Sequence, residues 1–237
     1  MMKLSVAFGI KPGLTQAEFR TRYEEGHSAK VNSVRTFNIY MRKYIQNYVF
    51  DTACEFPRRN PPLRGCSEIW FDSMRTFQTA YQLPDYQLLR VDEQRFVDFD
   101  NLVISFATEA PIFLREKTPR IKVLRFIQRA PTASLEAFLG FWQQTYAQAV
   151  GSSREVQSHA TAYIQNRSVV GDENPFPTSE VVSGVDEYWL DSRDSLAALI
   201  SAEKAARAEL GEDQYVDSGR SHYIVTEPRL VPGFEGL

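Results

Sequence analysis

Three histidines, His27, His159 and His222, are the side chains of this 237-residue sequence that exchange protons near neutral pH. His27 stands in "FRTRYEEGHSAKV", on the repeat Phe19, Tyr23, His27, Val31 that marks one face of a helix. A neutral imidazole on that face can take a proton and return it, which suits dehydration, decarboxylation or enolisation of a phenolic or β-keto compound. The plainer reading is a core histidine held by one hydrogen bond. Tyr40, Tyr44, Gln46 and Tyr48 alternate along a predicted strand. Phenolic and amide groups on that face can orient a substrate's oxygens or stabilise an enolate, with Tyr44 the first choice, or they can simply make cross-strand pairs. Glu68, Trp70 and Asp72 alternate on the next strand, where a carboxylate could orient His27 or end the strand at a turn. His159 takes the place of Tyr40 in the second half and could serve a separate pocket there. Scattered histidines without spaced carboxylates make no metal site.

The elements that must position these groups are written twice. "YIQN" occurs at Tyr44–Asn47 and again at Tyr163–Asn166, a shift of 119 positions from 44 to 163. The same shift carries Glu68-Ile69-Trp70-Phe71-Asp72-Ser73 onto Glu187-Tyr188-Trp189-Leu190-Asp191-Ser192, Lys3 onto Lys122, Phe19 onto Phe138, Tyr23 onto Trp142 and Glu93 onto Glu212. A single ungapped register over both halves is an internal duplication. It divides the chain into a unit at 1–110, a linker at 111–120 and a unit at 121–237.

Composition sets the bounds. A hydrophobic content of 43% supports packed cores, and an aromatic content of 13% suits aromatic-lined cavities. The net charge of −3 with interspersed signs leaves no basic stripe for nucleic acid. No run reaches the ~20 apolar residues of a membrane span. Cys54 and Cys66 fit no zinc or redox spacing and read as reduced thiols of a cytoplasmic protein.

Within one unit, "KLSVAFGI" reads as a strand and Thr15 with Glu18 as a capping box opening the helix of the His27 stripe. "YMRKYIQNYVF", "CSEIWFD" and "NLVISFAT" supply three more strands, with helices opened near Ser73 and over 85–96. The order βαββαβ is the ferredoxin-like arrangement. A four-stranded sheet with helices on one face leaves its other face bare, so two tandem units are expected to close an α+β barrel with helices outside. The loop after the second strand carries Arg58, Arg59 and Arg64 in unit 1 but Asp172, Glu173 and Glu180 in unit 2, and this opposition predicts contact between the loops.

At "LTQAEFRTRYEEGHSAKV", "YIQN", "SEIWFDS" and "DEQRFVDF" the chain resembles the EthD domain family of the dimeric α+β-barrel superfamily. The resemblance implies a tandem of ferredoxin-like units sharing one barrel. Relatives on this fold include cofactor-independent cyclases, dehydratases and decarboxylases, lactone isomerases, monooxygenases and haem-dependent peroxidases. His27 matches the family's histidine near the end of the first helix, whereas Tyr146 replaces it in unit 2. The expectation is a cofactor-free lyase or isomerase acting on an aromatic, polyketide-like or catabolic small molecule in unit 1. His27 and Tyr44 would be catalytic, and Tyr40, Gln46, Tyr23, Trp70, Tyr146 and His159 substrate-binding. The rivals are a cofactor-free monooxygenase and a non-catalytic accessory protein of a degradation pathway. Expected partners are a small molecule and, in self-association, a further copy of the chain, with neither nucleic acid nor membrane.

Overall fold

The computed structural model describes residues 1–115, 120–170 and 179–235. Unit 1 contributes strands β1 (Met2–Ile10), β2 (Met41–Val49), β3 (Gly65–Phe71) and β4 (Val97–Leu114). Unit 2 contributes β5 (Ile121–Ile127), β6 (Ala162–Ser168), the short β7 (Glu180–Val181), β8 (Gly184–Leu190) and β9 (His222–Glu235). The opening helix α1 runs through three contiguous segments, Gln16–Thr21, the π-helical Arg22–His27 and Ser28–Ser33, and is followed by α2 (Arg35–Asn38), α3 (Met74–Tyr81) and α4 (Tyr86–Glu93). In unit 2, α5 repeats the pattern as Leu135–Gly140, π-helical Phe141–Tyr146 and Ala147–Ser152, before α6 (Arg154–His159) and α7 (Leu196–Glu209). Among the described residues no helix is long and apolar enough to cross a membrane.

The expected βαββαβ units are present, and the closure runs through two long strands. β4 pairs with β1 from Val97 to Ala107 and with β6 of the other unit from Ala107 to Leu114. β9 likewise pairs with β5 through His222–Thr226 and with β2 of unit 1 beyond Thr226. The resulting ring β1-β3-β2-β9-β5-β8-β6-β4 returns to β1, so eight strands close into a barrel, with β7 added on β4. The first residues of the stretch read as a linker are therefore strand: β4 continues to Leu114, because the bare edge of β6 offers it a partner. The oppositely charged loops do touch, Arg59 pairing with Glu180, while Asp172 and Glu173 lie outside the described residues.

Each opening helix owes its aim to its π turn. Apolar residues spaced by four drift about 40° per step around an α-helix of 3.6 residues per turn. The wider π turn rotates the stripe back. Phe19, Tyr23, His27 and Val31 are consequently all buried, as are Phe138, Trp142, Tyr146 and Val150. The repeated "YIQN" follows from the same turn. Gln46 donates from Nε2 to the Tyr23 carbonyl at 2.6 Å, and Gln165 to the Trp142 carbonyl at 2.8 Å. Thr15 caps α1 as expected, its Oγ1 accepting from the Glu18 amide while the Glu18 carboxylate accepts from the Thr15 amide.

Inside the barrel the two units meet around four charges from duplicated positions. Lys3 lies 2.6 Å from Glu68 and 2.5 Å from Glu187; Lys122 pairs with Glu68 and lies 3.1 Å from Glu187. Asn47 and Asn166 each donate to the glutamate of their own unit, at 2.9 and 3.0 Å. Burial pulls the Lys3 ammonium down, but Glu187, Glu68 and Glu109 outweigh it and hold it well above its usual range. Burial pushes Glu68 and Glu187 up, and Lys122 and Lys3 outweigh that, holding both below the usual carboxylate range. An apolar belt including Ala7, Val49, Leu124, Phe126 and Ile224 completes the interior.

Two consequences are measurable. Lys122→Met leaves two buried carboxylates facing Lys3 and is expected to lower stability by about 3–5 kcal/mol in urea unfolding; an unchanged midpoint would remove the cluster from the account. The stability that Glu68 and Glu187 contribute is present above their ordinary pKa of 4.5 and is lost as pH falls through their lower folded values. The contribution of Lys3 is present below 10.5 and is lost only as pH rises through its raised folded value. Unfolding free energy should therefore hold through neutrality and fall in acid. At Gly184 the Trp142 ring lies where a Cβ would stand. Gly184→Ala is expected to cost about 1–3 kcal/mol by the same measurement.

Candidate active site

Between the helices and the sheet of unit 1 lies a cavity of about 160 Å³. Its walls are largely apolar, with Leu4, Val6 and Ile104 from the strands and Val31, Leu89 and Phe96 from the helical side. The polar groups among them are His27, Tyr44, Ser67, Tyr81, Tyr86, Arg90 and Glu93, together with Ser179 from unit 2. A pocket of this kind, apolar with a few convergent polar groups, is the usual form of a small-molecule site.

His27 is placed by the π turn of α1 and oriented by α4. Its Nδ1 lies 3.0 Å from Asp92 Oδ2. A carboxylate only accepts, so Nδ1 carries the proton and Nε2 is left as the basic nitrogen. Nε2 makes no hydrogen bond to the described residues. The ring stands edge-on to Phe96 and to Tyr44, at centroid distances of 5.2 and 6.4 Å. The hydrogen bond from His27 holds the Asp92 carboxyl below its ordinary range against some desolvation. Unit 2 steadies this helix: Arg229 of β9 donates to the Glu24 carbonyl and, at 3.0 Å each, to Ser28 Oγ and Gln46 Oε1.

Tyr44 and Tyr23 both contact Ser67 Oγ through their hydroxyls, at 3.1 Å each. Burial raises both phenols, Ser67 only partly opposing it, so each remains protonated. Burial likewise lifts the Glu93 carboxyl above its usual range, with His27 and Arg90 pulling the other way.

The structure brings together His27 and Tyr44 at the cavity and sets Tyr23 behind it on Ser67. Gln46 is buried under α1, tied to the Tyr23 carbonyl and Ser28. Tyr40 is half-buried ahead of β2 and packs on the unit 1 core. Trp70 and Glu68 face the barrel interior, Trp70 donating to Glu109 at 2.8 Å. Glu68 therefore does not orient His27; that part falls to Asp92, on a helix whose docking brings it 65 positions back along the chain. Asp72 pairs with Arg42 at 2.6 Å. His159 ends α6 rather than lying on a strand, because Ser153 caps a helical turn there.

Tyr146, the counterpart of His27, sits in a filled space. Arg125, Tyr188 and Tyr223 stand where unit 1 has Val6, Ile69 and Ile104, and all are buried. Tyr146 donates to Glu203 at 2.7 Å and contacts the Tyr188 hydroxyl at 3.0 Å. Tyr163 and Trp142 donate to Asp186 at 2.8 and 2.9 Å. Burial pushes the Asp186 carboxyl up to about 7, with Arg125 opposing.

Sequence reasoning missed Asp92 and Glu93. The duplication held a signal for the first: where unit 1 has His27 and Asp92, unit 2 has Tyr146 and Gly211, so both members of the pair change together. Among the described residues no group of three or more metal-binding side chains converges. A tetrapyrrole is far wider than a cavity of about 160 Å³, so the residues around His27 do not fit a haem.

The closed eight-stranded barrel with helices outside is the dimeric α+β-barrel fold, its two halves joined in one chain. Residues 11–100 match the EthD domain, a likeness confined to unit 1. No curated protein matches the chain. Among solved structures it is similar to an anthrone oxidase-like protein, with 12% identity and a TM-score of 0.53 over 99% of this chain and 94% of that one. It is also similar to a candidate monooxygenase from Fusobacterium nucleatum subsp. nucleatum, with 8% identity and a TM-score of 0.56 over 100% and 95%. A variant chlorite dismutase from Candidatus Nitrospira defluvii gives 9% identity and a TM-score of 0.53 over 95% and 91%. These likenesses define a shared fold over both units.

Removing the imidazole tests the His27–Asp92 pair directly. In His27→Ala the Asp92 carboxyl is expected to titrate closer to its ordinary value, followed by NMR of the side-chain carbonyl carbon. An unmoved titration would dissolve the pair.

Proposed function

We propose that the protein is a small-molecule enzyme of proton-transfer type, a lyase or isomerase, with its site in the unit 1 cavity. The observation that carries this reading is the His27–Asp92 hydrogen bond at the cavity wall. Asp92 fixes the tautomer, so Nε2 accepts a proton from the substrate and the imidazolium is stabilised by the carboxylate until the proton is returned. Tyr44, kept protonated by burial, donates to a substrate oxygen on which negative charge develops. The apolar walls exclude water from that charge. No step in this scheme calls for a cofactor.

The neighbours described as anthrone oxidase-like and as a candidate monooxygenase support a second reading on the same residues. An enolate or phenolate made by His27 is electron-rich, and dioxygen is the oxidant such a monooxygenase would use. Consumption of oxygen with turnover separates the two readings.

The test is a turnover screen of enolisable ketones and phenols with wild type, His27→Ala and Tyr44→Phe. Loss of the base is expected to lower turnover by about 10²–10⁴ with binding retained. Tyr44→Phe should lower it by roughly 10²–10³, the range for a missing oxyanion donor. Full turnover in His27→Ala would overturn the proposal, and ligand binding without turnover of any compound would favour an accessory protein.

A further inference from the structure

The duplication lets the chain be compared with itself. β1 and β3 pair in the same register as β5 and β8: Leu4 faces Ile69 as Val123 faces Tyr188. Positions under the helices therefore correspond one for one. Where unit 1 has the cavity-lining Val6, Ile69 and Ile104, unit 2 has Arg125, Tyr188 and Tyr223, whose side chains fill the space. Glu93 corresponds to Glu212. In unit 2 the Glu212 carboxylate accepts two parallel hydrogen bonds from Arg125, at 2.8 and 2.6 Å. In unit 1 that arginine is a valine. Among the described residues Glu93 keeps a single 3.4 Å hydrogen bond, from Arg90, a partly exposed side chain that also lies over the Phe99 ring. A carboxyl with one-fifth of its side chain exposed thus lines the hollow with most of its acceptor capacity unused.

Resting on the small-molecule reading above, we infer that the ligand of unit 1 occupies the volume that Arg125, Tyr188 and Tyr223 fill in unit 2, and that it is a neutral hydroxylated aromatic ring whose hydroxyl donates to Glu93. The groups that fill unit 2 are planar, two of them are phenols, and Arg125 and Tyr223 donate to the buried carboxylates of Glu212 and Glu203. A cavity of about 160 Å³ is close to the ~150 Å³ engineered cavity that takes benzene, which sets the size at about one ring with small substituents. Charge selects a neutral ligand. An anion would meet Glu93, and a cation would compete with Arg90, which already accompanies Glu93. The inference adds Glu93 to the site as the residue that reads the hydroxyl, while His27 and Tyr44 act on the ring and its other oxygens.

The experiment measures binding of phenol, anisole and benzamidine to the intact protein by NMR titration, in wild type and four variants. Phenol should bind about tenfold more tightly than anisole, the scale of a hydrogen bond to a charged acceptor. That preference should vanish in Glu93→Leu and shrink in Glu93→Gln. Val6→Arg, which rebuilds in unit 1 the ion pair of unit 2, should abolish binding of all three while the protein melts no lower than wild type. If Val6→Arg does not fold, Ile69→Tyr fills the same space and should do likewise. Equal binding of phenol and anisole, a preference that survives in Glu93→Leu, binding retained in a folded filled variant, or benzamidine tighter than phenol would each overturn the inference. Turnover that depends on His27 with no preference for the hydroxyl would leave the proton-transfer reading standing and remove this one alone.

Discussion

The fold depends on four charges, each of which is paired both within its own unit and across to the other. Lys3 reaches Glu187, and Lys122 reaches Glu68, so each unit's lysine is neutralised partly by the other unit's glutamate. A buried ion costs several kcal/mol unless its partners are all in place. Separated sheets would expose or strand these groups. The geometry is also directional: a sheet slipped by one residue would turn Lys3 and Glu68 toward the helices. Apolar contacts supply most of the driving force in such a core, while the charges restrict which arrangement of the two sheets is tolerated.

That interior frees the outer layers to differ. On the barrel side the units are near copies, with Lys3 and Lys122, Asn47 and Asn166, Glu68 and Glu187, Trp70 and Trp189 at matching positions. On the helix side they diverge. Unit 1 combines a histidine–aspartate pair with aliphatic strand residues and keeps a hollow. Unit 2 places an arginine and two tyrosines, all buried, at the matching strand positions. Three changes on the sheet, at positions 6, 69 and 104 against 125, 188 and 223, are enough to account for the difference.

Much of this is legible in the sequence. The 119-residue shift carried the duplication, the βαββαβ order carried the barrel, and the stripe through His27 carried the location of the hollow. What could not be read was which side of a strand faces which layer. Both faces of these strands are buried, so the alternation of Glu68, Trp70 and Asp72 is the same whether it points at the helices or at the barrel. Asp92 was hidden for a different reason. It stands within "DEQRFVDF", but its meaning comes from how α4 docks against α1. The π turns were invisible because a spacing of four suits either kind of helix over one turn. His159 matches Tyr40 in the duplication, yet Tyr40 precedes β2 and His159 ends α6, so neither lies on a strand.

The long strands β4 and β9 have a further bearing on how such a chain can change over generations. In an assembly of identical subunits every mutation lands on both sides at once, so a hollow cannot be lost from one side only. Once the halves are stitched together, with each final strand spending part of its length in its neighbour's sheet, one half can trade its pocket for rigidity while the other keeps it. The expected stoichiometry is accordingly a single occupied centre per polypeptide, with its twin serving as a buttress.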